Sequence, residues 1–369
     1  MNLSAVDLFC GAGGLTYGLE RAGIPVSAGV DVDPDCKYPY NTNTNARFVQ
    51  SDVEPMARRN PERVGSLFDF RPDLKVLAGC APCQPFSPLN HGTESSSHEK
   101  WALLDSFRRL VDDLGPDVVV MENVYEVRNH DVYQAFEEEL EDEGYFVNDD
   151  NDKRVYCPEY GIPQKRKRWV LLASKEGPIS LGEPPFPDEE DYPTVRETID
   201  HLPELEAGEV HSERRIHQAR TLSDTNLERI ELMEPGADWR IWDKKGRPDL
   251  LLECHKKESG SSFKAPYSRV RPDEPAPTIT TQFYNYGSGR FGHYDQEQKR
   301  ALSLLEGAML QSFPEDYQFV REGEEMHTKK MGRLIGNAVP PKLAEIIGDR
   351  IVEHAAEVGG VSPKAVADD

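Results

Sequence analysis

The chain has 369 residues, 37% hydrophobic and 30% charged, enough for one large or two ordinary cores and too apolar for intrinsic disorder. No apolar run approaches the roughly 18–20 residues of a membrane span, and the start, Met1-Asn2-Leu3-Ser4, has no basic region leading into an apolar core, so no signal peptide or membrane partner is expected and a cytoplasmic location follows by default. The formal charge of −23 argues against a polyanionic partner unless the acid is unevenly spread.

In chain order, residues 5–9 read as a buried strand and 14–22 as a helix. Between them runs Asp7-Leu8-Phe9-Cys10-Gly11-Ala12-Gly13-Gly14-Leu15, a glycine turn in which backbone can approach a ligand closely and a helix start favours an anionic group. A plain strand–helix turn is the simpler alternative. Residues 25–30 form a second strand ending in Val30-Asp31-Val32-Asp33, where an acid can accept hydrogen bonds from ribose hydroxyls. A third strand, 48–50, precedes Ser51-Asp52-Val53, whose acid is suited to an adenine amino group. Each acid alone can equally be a helix cap. A nucleoside site without a phosphate-binding lysine suits S-adenosylmethionine better than ATP.

Residues 74–78 and 118–121 are further strands, with a helix at 101–114 between them. The first of these strands leads into Gly79-Cys80-Ala81-Pro82-Cys83-Gln84-Pro85-Phe86-Ser87, a proline-stiffened turn presenting a cysteine at a strand's carboxyl edge. A nucleophilic cysteine must ionise, and such a setting favours it. Cys83 is the expected nucleophile and Cys80 an inert buried thiol. The six cysteines form no dense framework, and the single Cys-x-x-Cys lacks a second half-site, so neither disulfides nor a metal is expected. Val118-Val119-Val120-Met121-Glu122-Asn123-Val124 places Glu122 at the end of a neighbouring strand, where a carboxyl screened from water can donate a proton. Gln164-Lys165-Arg166-Lys167-Arg168 leads into a strand at 168–173, and alternation puts Gln164, Arg166 and Arg168 on one face. The strand–helix alternation implies a parallel sheet wrapped by helices.

The pattern breaks at the proline-rich linker 177–187, and 188–264 has no assignable periodicity. Residues 211–272 hold 13 Lys/Arg against 10 Asp/Glu, a balance of +3 that leaves −26 elsewhere. Acid runs such as Glu137-Glu138-Glu139 fit a high-salt cytoplasm, where a Debye length of about 3 Å at 1 M salt would blunt repulsion of DNA. Residues 341–358 read as an amphipathic helix opened by proline; the tail from 362 is expected to fray.

The motif order resembles the DNA cytosine-5 methyltransferase family from residue 6 to 348. Asp7-Leu8-Phe9-x-Gly-x-Gly-Gly, Pro82-Cys83-Gln84, Glu122-Asn123-Val124, Gln164-x-Arg166-x-Arg168, Arg269 with Pro277-Thr278-Ile279, Leu310-Gln311-Ser312-Phe313-Pro314 and Gly336-Asn337-Ala338-Val339-Pro340-Pro341 occur in the family's sequence. Ala81 stands where the family usually has proline and Asp31 where it has glutamate.

The resemblance implies a Rossmann-like S-adenosylmethionine-dependent methyltransferase domain (1–176 plus 326–369), mostly parallel with helices on both faces, carrying an inserted target-recognition domain (177–325). It implies methyl transfer to C5 of a flipped cytosine in double-stranded DNA. Cys83 attacks C6, Glu122 protonates N3, Arg166 steadies the base and Arg168 supports it. Phe9, Gly11, Gly14, Asp31, Asp52, Leu103, Asn337 and Val339 hold S-adenosylmethionine; Gln84, Ser87 and Gln164 contact substrate, and residues 87–100 close over the site. Trp239, Trp242, Phe263 and Tyr267 suit groove docking or, equally, a core for the inserted domain. A cognate restriction endonuclease is a candidate partner and a monomer is expected. The rivals are a tRNA cytosine-5 methyltransferase, whose relatives usually carry a Cys-Phe-Thr element missing here, and a non-catalytic DNA-binding module.

Overall fold

The structure, a computed structural model, describes residues 1–69, 71–82, 97–257 and 264–359, with backbone alone for 97–100. The chain divides into two compact units, one of residues 1–160, 167–185 and the segment from 338 onward, the other of 161–166 and 186–337. One boundary thus falls within the expected proline-rich linker, and the other directly follows Asn337.

The first unit is built on one sheet. Strands β1 (Leu3–Leu8), β2 (Val26–Asp31), β3 (Arg47–Gln50), β4 (Leu74–Gly79) and β5 (Val118–Val124) pair in parallel in the order β3-β2-β1-β4-β5. Beyond β5 the pairing turns antiparallel, through β6 (Phe146–Val147), β7 (Arg154–Tyr156) and, after the short β8 (Gln164–Lys165) of the other unit, β9 (Lys167–Ser174). All six residues of β1 are buried, as expected of a central strand covered on both faces. Helices α1 (Gly14–Arg21), α2 (Lys37–Asn43), α3 (Val53–Arg59), α4 (Glu62–Gly65), α5 (Ser97–Leu114), α6 (Asp131–Asp142) and α7 (Asp150–Lys153) occupy the connections. Val6, Leu8, Val30, Leu77, Val119 and Met121 pack with Phe107, Phe136 and Trp169 in one continuous core. The strands and the two helices expected here, 14–22 and 101–114, all form, with ends shifted by a few residues. Glu122, expected at a strand end, lies inside β5.

The second unit contains little regular structure. Its helices are α8 (Val195–Ile199), α9 (Asp224–Glu231), α10 (Arg240–Lys244), α11 (Leu304–Leu310) and α12 (Thr328–Asn337), and its strands, apart from β8, are β10 (Ser268–Arg269), β11 (Ala276–Pro277) and β12 (Arg290–Gly292). Buried side chains help to satisfy its backbone. Arg269, fully buried, donates to the carbonyls of Met233 (2.8 Å), His293 (2.6 Å), Asp295 (2.7 Å) and Ile230 (2.9 Å). Burial pulls its guanidinium down to about 10, still charged at neutral pH. Trp239 and Trp242 are core residues, packed with Met233 and Leu250, and Tyr267 packs against the same cluster. Groove docking by the two tryptophans is therefore not what the fold uses them for. Phe263 lies outside the described residues.

Helix α13 (Pro341–Val358) belongs to the first unit and packs on α1. The contact is close: a Cβ on Gly18 would lie 2.4 Å from Ala344 Cβ and from the Pro341 carbonyl, and one on Gly348 2.5 Å from Ala22 Cβ. Two missing side chains thus let the last helix seat against the helix that follows the glycine turn. No helix among the described residues is long and apolar enough to cross a membrane.

Two outcomes follow. Gly18→Ala forces α1 and α13 apart and lowers unfolding stability by about 1–3 kcal/mol, read from urea midpoints. Arg269→Met leaves several buried carbonyls without donors, and limited proteolysis should cut the second unit well before the first.

Candidate active site

The carboxyl end of β1 opens into an irregular turn. Phe9, Gly11 and Gly13 have φ of 60°, 54° and 95°, a left-handed series that is strained at Phe9 and relaxed at the glycines. The position a Gly11 Cβ would take has nothing within 4 Å, so the turn presents open backbone. Asp31, at the end of β2, ties this turn down: its carboxylate accepts from Gly11 N (2.9 Å) and from Asp33 N (2.8 Å). Burial pushes the Asp31 carboxyl up, against the pull of those two backbone bonds. Gly14 is buried at the start of α1, Leu103 is half-buried on α5, and Val339 is buried. Asp52 is exposed and caps α3 by accepting from Glu54 N (3.1 Å). Asn337 is exposed at the last position of α12, in the second unit.

Beneath the turn lies a polar cluster that sequence reasoning missed. Asp7 is fully buried and accepts from Thr16 Oγ1 (2.7 Å), whose oxygen lies 2.9 Å from the Tyr40 hydroxyl. Asp7 Oδ1 has no hydrogen-bond partner among the described residues. Burial, with Asp31 nearby, pushes the Asp7 carboxyl up to about 7.

The second focus is Glu122. The parallel register pairs Gly79 with Met121, so the next residues, Cys80 and Glu122, stand side by side. The Cys80 thiol donates to Glu122 Oε2 at 2.8 Å. Across the antiparallel pairing, Glu122 faces Val170 and Arg168 faces Val124, which places Arg168 diagonally on the same face; its Nε lies 2.6 Å from Glu122 Oε1. Glu122 is 2% exposed, so this is a buried carboxylate with a guanidinium on one oxygen and a thiol on the other. Cys80 is half-buried and engaged, not the inert interior thiol expected. Asn123, also buried, donates from Nδ2 to the Ala81 carbonyl at 3.3 Å, pinning the chain two residues before Cys83. Cys83, Gln84 and Ser87 lie outside the described residues, as does most of the 87–100 segment.

Gln164, Arg166 and Arg168 alternate in burial as expected, but on two elements: β8 ends at Lys165 and β9 starts at Lys167. Gln164 is fully buried in the second unit. Its amide nitrogen donates to the Leu310 carbonyl (3.2 Å) and to Gln311 Oε1, and its oxygen accepts from Ile279 N (3.1 Å). Arg166 donates to the carbonyls of Ile279 (3.1 Å) and Gly336 (3.3 Å) in the same unit. These two residues knit together three motifs far apart in sequence. Cys80 and Asn123 could have been found by writing β4 and β5 in parallel register; the Thr16–Tyr40 pair leaves no such sequence signal.

Comparison with solved structures defines the class. A DNA modification methyltransferase encoded within an E. coli prophage shares the fold with a TM-score of 0.69, at 21% identity over 95% of this chain and 99% of that one. The S. pombe Dnmt2 methyltransferase does so with a TM-score of 0.60, at 18% identity over 96% and 98%. This is an α/β methyltransferase fold. Residues 3–353 match the C-5 cytosine-specific DNA methylase family, and the chain belongs to that family. It is similar to the Type II methylase M.HgiDII of Herpetosiphon aurantiacus, 44% identical over 94% of each chain. It is also similar to the Type II methyltransferase M1.HphI of Haemophilus parahaemolyticus, 31% identical over 96% of this chain and 87% of that one. The protein is a DNA cytosine-5 methyltransferase.

The Asp7 carboxyl gives a pH signature. Its pKa is higher folded (about 7) than unfolded (about 3.9), so its contribution to stability is complete below about pH 4 and is lost as pH rises through about 7. The loss is roughly 4 kcal/mol. In Asp7→Asn that dependence disappears; urea midpoints of the two proteins, compared from pH 4.5 to 8, should diverge progressively in the variant's favour.

Proposed function

We propose that this enzyme uses S-adenosylmethionine and the thiolate of Cys83 to methylate C5 of a cytosine flipped out of duplex DNA. The observation that carries the reading is the buried Glu122 carboxyl group, held between the Cys80 thiol and the Arg168 guanidinium on the strand beside the one that leads to Cys83.

The glycine turn fits the cofactor: its backbone is open at Gly11, it carries no lysine or arginine, and a carboxylate stands at its rim. Gly11 and Gly14 would flank the methionine end, with Phe9, Asp31, Asp52, Leu103 and Val339 around the nucleoside and its surroundings. When bound, the cofactor supplies a methyl group activated on a sulfonium.

The chain's own residues prepare the base. The Cys83 sulfur adds to C6, forming the S–C6 bond. The C5–C6 π pair shifts toward C4, the C4–N3 π pair becomes a lone pair on N3, and Glu122 delivers a proton there. C5 thereby becomes nucleophilic. After methylation N3 returns its proton to Glu122, the C5 proton passes to water, the C5–H pair becomes the C5–C6 π bond, and the S–C6 pair leaves with Cys83 as the thiolate. Arg168 holds the carboxyl in place throughout. Residues 211–272 are the proposed DNA-facing part of the second unit, through exposed cations such as Arg220, Lys244 and Lys257, the side-chain types that meet phosphates. By analogy with relatives that bear Type II names, a restriction endonuclease of the same specificity is the proposed partner.

Bisulfite sequencing of duplex DNA exposed to the enzyme tests this. New protected cytosines in one sequence context are expected. Cys83→Ser should lower the rate by at least about 10³-fold and Glu122→Gln by about 10²–10⁴-fold. Labelling of tRNA but not duplex DNA, or full activity of Cys83→Ser, overturns the proposal.

A further inference from the structure

Cys80 takes no part in the chemistry above, yet its sulfur touches the acid on which that chemistry depends. The Cys80 thiol is 2.8 Å from Glu122 Oε2, while Arg168 Nε is 2.6 Å from Oε1. The hydrogen-bonding thiol and the ion-paired guanidinium come from opposite neighbours of β5: Cys80 directly follows β4, and Arg168 lies on β9. The Cys80 backbone is itself held, its N–H donating to the Leu8 carbonyl at 3.3 Å, so the sulfur is carried by the sheet and not by a free loop.

We propose that Cys80 is a positioning residue for methyl transfer, fixing the Glu122 carboxyl by holding Oε2 while Arg168 holds Oε1. The proposal rests on Glu122 acting as the acid toward N3. A carboxyl gripped at one oxygen can still turn about its terminal bond, because that torsion is soft. Gripped at both, its plane is fixed, and catalytic groups need placement within about 0.5 Å and 10–20°. A thiol suits this role because it is a weak donor. It orients the carboxyl without competing strongly for the oxygen that must give up and regain a proton in each turnover. Cys80 keeps its own proton throughout, and no bond to its sulfur forms or breaks. The two cysteines of Cys80-Ala81-Pro82-Cys83 thus divide the work, the later one attacking carbon and the earlier one aiming the acid.

The test uses the full chain and duplex DNA, with single-turnover rates, KM for DNA and for S-adenosylmethionine, and melting temperatures. Cys80→Ala should lower the rate about ten-fold with each KM within about two-fold. Cys80→Ser, which restores a hydroxyl donor, should recover to within about three-fold of the native rate. In a Glu122→Gln background, Cys80→Ala should have no further effect, the non-additivity expected of residues acting through one group. A native rate in Cys80→Ala, no recovery in Cys80→Ser, or an additive loss on Glu122→Gln overturns the proposal. Cys83→Ser, run alongside, separates the two levels: if it is active the proposed chemistry itself fails, whereas an inactive Cys83→Ser beside a native-rate Cys80→Ala removes only the role of Cys80.

Discussion

The in-register pairing of β4 and β5 is the constraint on which the site depends. With Gly79 opposite Met121, the residues that follow are forced together: Cys80 beside Glu122, and Ala81 within reach of Asn123. A slip of one residue would turn every side chain of a strand to the opposite face. Glu122 would then leave its thiol and guanidinium partners, and the chain leading to Cys83 would lose its anchor. Register is strongly specified here because β5 is buried on both faces, with Val118, Val119, Val120 and Met121 fully enclosed.

A buried carboxylate is costly unless it is paired and hydrogen-bonded. Glu122 is both, through groups contributed by the strands on either side. The first unit treats its other buried acid differently. Among the described residues Asp7 receives the Thr16 hydroxyl and no cation, and its carboxyl is pushed up to about 7. Two acids in one sheet thus have different neighbours, a guanidinium and a thiol at Glu122 and a buried hydroxyl beneath the glycine turn at Asp7.

The second unit solves the problem of irregular backbone with buried arginine and glutamine side chains. Arg269 donates to carbonyls from several separate segments, and Gln164 and Arg166 do the same around Ile279, Leu310 and Gly336. A planar guanidinium with five fixed donors is suited to that work, which a lysine could not reproduce. It also lets motifs separated by more than a hundred residues in sequence meet around shared polar side chains. Those residues hold the loops of the unit in place.

The order of the first unit's strands and helices was legible in the sequence, because a doubly covered parallel strand must be a continuous apolar run and its crossover must be helical. So were the glycine turn, the placement of Glu122 on a strand beside the one leading to Cys83, and helix 341–358. Residues 188–264 were not legible, since helices α8, α9 and α10 are short and carbonyls such as those of Ile230 and Met233 are taken by the distant Arg269. Composition could not decide whether Trp239 and Trp242 face a ligand or a core; packing with Met233 and Leu250 did. Cys80 shows the same division most sharply. A cysteine is chemically ambiguous as a letter, and only the lateral alignment of two strands, a contact between residues 42 apart in the chain, turned it from an inert thiol into the partner of the acid.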